Sequence, residues 1–188
     1  MRSLQLPKPH LIVVVGIPGS GKTAFAKKFS DTFGAPFINA RKLGTDRELA
    51  YELLREVMKT RATVVYENDN GTRRSRSEIS KLARDGGYEP LFVWVQTDAA
   101  TAHMRATRRT KTNPYAITNE EFDLSLAGFS PLHVSEKPAV ISGKHTYSSQ
   151  AKVVLKRLTN DAGRSSTGVQ SAPRAQADVS VRRSVVVR

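Results

Sequence analysis

The chain has 188 residues, with 30 lysines and arginines against 17 aspartates and glutamates, a formal net charge of +13. With no cysteine in it, disulfides, thiolate zinc sites and cysteine nucleophiles are excluded, and a reducing cytoplasm is the expected setting. The longest apolar runs are about five residues, far short of the ~20 that span a membrane, and residues 1–10 lack the apolar core of a signal peptide.

In chain order, residues 1–10 read as a short arm with two prolines, and residues 11–160 as one domain. Leu11-Ile12-Val13-Val14-Val15 is an apolar, β-branched run, as a strand buried on both faces should be. Thr23 to Phe33 carries Ala24, Phe25, Ala26, Phe29 and Phe33, a helical stripe closed by Gly34. Pro36–Ala40 is a short strand. Asp46–Lys59 is a helix with Leu49, Leu53, Leu54, Val57 and Met58 on its apolar side and Asp46 as cap.

Thr63–Tyr66 is the next strand and Ser75–Arg84 a basic helix closed by Gly86-Gly87. Strand Pro90–Val95 follows, then a helix from Asp98 to about Arg109. A helix from Thr118 to about Leu126 is capped by Thr118 or Asn119. Ala139–Ser142 is the last strand and Ser148–Leu158 the last helix. Strands alternating with helices predict a parallel sheet covered on both faces. Residues 161–188 are rich in Ser, Ala and Arg without aromatics, which predicts a disordered basic tail. The valines around Arg182 and Arg183 leave an added strand or an acidic partner open.

Between the first strand and helix, residues 16–23 read Gly-Ile-Pro-Gly-Ser-Gly-Lys-Thr, the pattern of the loop that wraps the phosphates of ATP or GTP. Gly16, Gly19 and Gly21 let the backbone approach an anion, with Pro18 and Ser20 between them, and successive N–H groups form the cradle. The helix that follows adds its N-terminal dipole. Lys22 supplies charge to the β- and γ-phosphates, and the Thr23 hydroxyl a ligand to Mg²⁺.

Other residues fit the same chemistry. The third strand runs into Glu67-Asn68-Asp69-Asn70, where Glu67 and Asp69 are candidate carboxylates near Mg²⁺. Arg105, Arg108 and Arg109 at i, i+3, i+4 predict one basic helical face. Thr110-Lys111-Thr112-Asn113-Pro114 follows, so this region reads as an arginine lid over a triphosphate. Arg73, Arg74, Arg76, Lys81 and Arg84 form a further basic cluster, suited to an acceptor phosphate, a nucleic-acid backbone or a solvated face. The basic surplus as a whole also fits nucleic acid as a partner.

From about residue 10 to residue 158 the chain resembles the P-loop kinases that include polynucleotide 5′-hydroxyl kinase and its small-molecule kinase relatives. The resemblance rests on the 16–23 loop, on Val-Val-Tyr-Glu-Asn-Asp-Asn at 64–70, on Arg-Ala-Thr-Arg-Arg at 105–109, and on Phe129-Ser130-Pro131-Leu132 with Glu136 and Pro138. It implies an α/β three-layer sandwich with a central parallel sheet of about five strands, Mg²⁺-ATP as donor and an arginine lid. Lys22, Arg105 and Arg109 would then stabilise the γ-phosphate, with Thr110 beside the nucleotide.

One departure bears on the reaction. Hydroxyl-phosphorylating relatives place an Asp after the second strand to take the acceptor's proton. This chain has Arg41 there, in Asn39-Ala40-Arg41-Lys42-Leu43, and Asn68 where relatives have a strand-end Asp. Arginine cannot serve as a base at neutral pH. Three readings stay open: Asp46 or Asp69 substitutes as base, the acceptor is already a phosphate, or ATP binding serves a non-catalytic switch. A plain ATP hydrolase is a further reading.

Overall fold

The computed structural model describes residues 6–44, 46–68, 71–108 and 116–165, with the side chains of 42 and 161–165 left aside. Its elements in chain order are β1 (His10–Val15), α1 (Lys22–Phe33), β2 (Phe37–Asn39), a 3-10 turn (Ala40–Leu43), α2 (Arg47–Met58), β3 (Val64–Glu67) and α3 (Arg73–Asp85). Then come β4 (Glu89–Gln96), α4 (Ala99–Thr107), α5 (Asn119–Ala127), a second 3-10 turn (Val134–Glu136), β5 (Ala139–Ser142) and α6 (Tyr147–Ser165). The strands form one five-stranded sheet in the order β2-β3-β1-β4-β5, every pairing parallel.

β1 is central because every residue of it is buried. Leu11, Val13 and Val15 join a cluster with Ala50, Tyr51, Leu54 and Met58 of α2 and Ile79 and Ala83 of α3. Ile12 and Val14 join the opposite cluster, with Phe25, Ala26 and Phe29 of α1 and Val154 and Leu158 of α6. Alternation along one strand thus fills both layers of a three-layer α/β sandwich. A smaller cluster of Ile17, Ala102, Ala106 and Phe122 packs α4 and α5 against the loop after β1.

The helix starts follow side-chain chemistry. Asp46 Oδ1 accepts from the N–H groups of Glu48 and Leu49 at 2.9 and 3.2 Å. Thr72 caps α3, Asp98 caps α4, and Thr118 with Glu121 closes a capping box on α5.

Three expectations change. On α2 the buried residues are Ala50, Tyr51, Leu54 and Met58, whereas Leu49 and Leu53 are exposed. The inward stripe repeats every three to four residues from Ala50, and those two leucines lie on its flank. The helix α4 ends at Thr107, and Arg108 already has extended backbone. The last helix continues to Ser165, past the expected domain end at 160. The tail beyond it, residues 166–188, lies outside the described residues. Among the described residues no helix is long and apolar enough to cross a membrane.

Candidate functional site

The site lies at the carboxyl end of the sheet, where β1 turns into α1. Gly19 adopts φ +74°, and a Cβ there would collide with the Ala102 carbonyl of α4. Only glycine lets the loop pack this closely beneath that helix. The loop closes through the Ser20 N–H to the Ile17 carbonyl at 3.2 Å and passes into α1 through the Phe25 N–H to the Gly21 carbonyl at 3.1 Å. Lys22 is buried, its ammonium folded over the loop to donate to the carbonyls of Gly16 and Ile17 at 2.8 and 2.9 Å. The charge is therefore held at the cradle itself.

Thr23, one residue further on, donates its hydroxyl to Glu67 Oε1 at 2.7 Å. Glu67 ends β3, one strand over from β1, and is 1% exposed. Its Oε2 accepts from Asn39 Nδ2, at the end of β2, at 3.2 Å. Adjacent parallel strands thus converge a hydroxyl, a carboxylate and an amide, as expected where strands end in a crevice. Asn68, next in line, donates to the Tyr66 hydroxyl at 3.1 Å. Burial pushes the Tyr66 phenol up to about 12, partly offset by that bond, so it stays protonated at neutral pH.

Two buried polar atoms at this site have no hydrogen-bond partner among the described residues: Ser20 Oγ in the loop and Asn39 Oδ1 beside Glu67. Buried polar groups are nearly always satisfied, so these two atoms have capacity for a polar ligand atom or a water. The oxygen donors Thr23 and Glu67 suit Mg²⁺, which takes one or two protein ligands and completes its shell with water and phosphate. Among the described residues there is no group of three or more His, Asp or Glu side chains that could hold a metal ion.

Of the expected site residues, the structure brings together Gly16, Pro18, Gly19, Ser20, Gly21, Lys22, Thr23 and Glu67. Arg105, in the last turn of α4, donates to the Gly143 carbonyl at 3.4 Å, across from the loop. Arg108 does not share a helical face with Arg105, because the helix stops before it. Asp46, the candidate base, has its described bonds to its own helix as a cap. Arg41 is exposed on the 3-10 turn after β2. Asp69, Asn70, Arg109 and Thr110 lie outside the described residues.

Sequence reasoning missed Asn39 as a partner of Glu67, and it missed the brace under the loop. The Thr97 hydroxyl, after β4, donates to the Ser20 carbonyl at 3.0 Å. Gly143, after β5, donates to the Gln96 carbonyl at 2.7 Å and leaves no room for a Cβ against the Ser20 carbonyl. A glycine directly after a predicted strand was the available signal. Nearby, Asp98 pairs with Lys144 at 2.6 Å. Hydrogen bonds from Lys144 and Thr101 hold its carboxyl well below the usual range.

The AAA domain family matches residues 11–132, well over half of the chain. The chain belongs to this family. In fold it is a P-loop kinase-like domain. A gluconokinase from Sinorhizobium meliloti 1021 is similar at a TM-score of 0.64 with 19% identity, over 84% of this chain and 96% of that one. A sugar kinase from Janibacter sp. HTCC2649 aligns at 0.60 with 19% identity, over 85% and 98%. Kti12 from Chaetomium thermophilum, in complex with ADP-AlF3, aligns at 0.63 with 15% identity, over 81% and 98%. At these identities the likeness is one of fold. None of the curated proteins compared with the sequence matches it.

Proposed function

We infer that the chain is a Mg²⁺- and ATP-dependent phosphotransferase of the polynucleotide-kinase-like class. It would move the γ-phosphate of ATP to a nucleic-acid end, a nucleotide or another small acceptor. The observation that carries this reading is the Thr23–Glu67 contact at 2.7 Å directly after Lys22 in the glycine loop. It joins a phosphate cradle to oxygen donors of the kind magnesium selects.

Thr23 would hold Mg²⁺, with Glu67 or Asp69 assisting through water. Bound there, the ion would neutralise charge shared between the β- and γ-phosphate oxygens. Lys22 would exchange its two loop carbonyls for phosphate oxygens, and the loop N–H groups would orient the triphosphate. Arg105, with Arg109 beyond it, would stabilise charge on the transferring group. Such transfer asks the protein mainly for positioning and electrostatics. Asp46 or Asp69 is the candidate base for a hydroxyl acceptor.

A second reading, a non-catalytic ATP-binding switch or an ATPase, has its own support. Arg41 stands where a base is expected, and Asp46 is engaged as a helix cap. One assay separates the two. The protein is incubated with γ-labelled ATP, Mg²⁺ and a panel of 5′-hydroxyl oligonucleotides, nucleosides, nucleoside monophosphates, sugars and sugar acids, with Lys22→Ala beside it. Label on one acceptor, absent with the variant, supports the transferase. ATP binding without labelled product on any acceptor supports the switch, and free labelled phosphate supports the hydrolase.

A further inference from the structure

A second groove of about 500 Å³ runs along α3 towards the starts of β1 and β4, at the other end of the sheet. The length of β1, roughly 17 Å, separates that end from the phosphate loop. One wall is a face of α3 made by Arg73, Ser77, Ser80 and Arg84, at i, i+4, i+7 and i+11. Lys137, before β5, and Arg157 of α6 line the opposite side.

The charge on α3 divides sharply between its faces. The neighbouring stripe carries Arg74, Glu78, Lys81 and Asp85 and is neutralised within reach: Arg74 and Arg47 both meet Glu78 at 3.0 Å, and Lys81 meets Asp85 at 2.7 Å. The groove stripe carries two arginines, two serines and no acid. The two carboxylates that line the groove are already engaged. Glu89 pairs with Lys8 at 3.3 Å, and Glu136 pairs with the buried Arg76 through two contacts, at 2.6 and 3.2 Å. Arg84 and Lys137 are exposed, with no carboxylate in ion-pair reach among the described residues, and the exposed Arg73 acts on Glu136 at longer range than an ion pair. The lining of the groove therefore carries six basic side chains against two carboxylates, a positive excess.

Guanidinium, ammonium and hydroxyl groups in one groove are the usual partners of phosphodiester oxygens. Length decides between a small anion and a polymer. Arg73 and Arg84 stand eleven residues apart on one helix, about 16 Å at 1.5 Å per residue. A single phosphate cannot engage both, whereas successive phosphates along one strand can. We propose that this groove binds the backbone of a single-stranded nucleic acid, at a site separate from the one that holds the triphosphate.

The test is fluorescence anisotropy of the full chain with a short labelled single-stranded oligonucleotide, titrated with salt between about 50 and 200 mM. Arg84→Ala with Lys137→Ala removes two exposed groove cations. Lys27→Ala with Lys152→Ala removes two exposed cations elsewhere and serves as the control for net charge. The groove variant is expected to bind roughly tenfold more weakly than the control, with a salt slope shallower by about 1.4, two contacts at ~0.7 each. ATP binding by the same variant should match wild type, and Lys22→Ala should bind the oligonucleotide normally. Failure of this inference is thus distinct from failure of the proposed transferase. Equal oligonucleotide binding by the groove and control variants would overturn it. So would displacement by poly-glutamate as effective as by unlabelled oligonucleotide, or saturation by inorganic phosphate with no oligonucleotide binding.

Discussion

The proposed donor side of the site is made by one contiguous segment, residues 16–23, whereas the proposed acceptor side is assembled from β2, the turn at 40–43 and the end of β3. In the first, backbone shape does the work, and it is set by glycines and by packing on α4. In the second, function depends on which side chains three separate strand ends present. This chain presents Asn39, Arg41 and Asn68 there, with Glu67 as the buried carboxylate. A contiguous cradle can persist while the acceptor chemistry changes, so the two sides respond differently to substitution.

The largest effect is expected at the cradle. Lys22→Ala should lower phosphate transfer, or ATP hydrolysis, on the order of a hundredfold to a thousandfold, the scale for losing one preorganised charge. Its thermal midpoint should stay near wild type. A steady-state assay beside a melting curve checks both, and full activity in the variant would break the contrast between the two sides.

Next comes the joint between them. Glu67→Gln keeps the shape and the contact to Thr23 but removes the charge. It should raise the Mg²⁺ concentration needed for half-maximal ATP binding by about tenfold to a hundredfold. An unchanged Mg²⁺ requirement would move the metal role to Asp69.

Asp46 sharpens the acceptor side. Its two backbone contacts predict that Asp46→Ala costs about 1 kcal/mol, a fall in melting temperature of about 2–4 °C. Asp46→Asn should restore it. If Asp46→Asn melts normally yet loses transfer by ~100-fold or more, Asp46 is the base.

The smallest effect is on acid stability. Burial raises the Glu136 carboxyl, but hydrogen bonds from Arg76 and the His133 N–H outweigh it, and the net shift is downward. The unfolded state therefore binds a proton at higher pH than the folded state does. Stability from this group is fully present above its ordinary value, near 4.3, and is lost as pH falls through the lowered folded value. Urea unfolding across that range should show stability falling with acid, and Glu136→Gln should flatten the fall.

What the sequence made legible follows the same division. The strands and helices were readable because β1, β3 and β4 are unbroken apolar runs and because Asp46, Asp98 and Thr118 are good caps in front of periodic segments. The phosphate loop was readable because its residues are adjacent. The brace of Thr97 and Gly143 was not, since it joins the ends of β4 and β5 to Ser20, 77 residues from Thr97. Asn39 was overlooked because its partner Glu67 lies 28 residues away. The arginine face on α4 was misjudged because periodicity does not announce where a helix ends, and Arg108 already leaves it.

The most direct test of the central claim is equilibrium binding of ATP by calorimetry, with and without Mg²⁺, for the wild type and Lys22→Ala. The account predicts saturable micromolar to millimolar binding that Mg²⁺ strengthens and Lys22→Ala removes. No binding by the wild type at millimolar ATP, or equal binding by the variant, would contradict it.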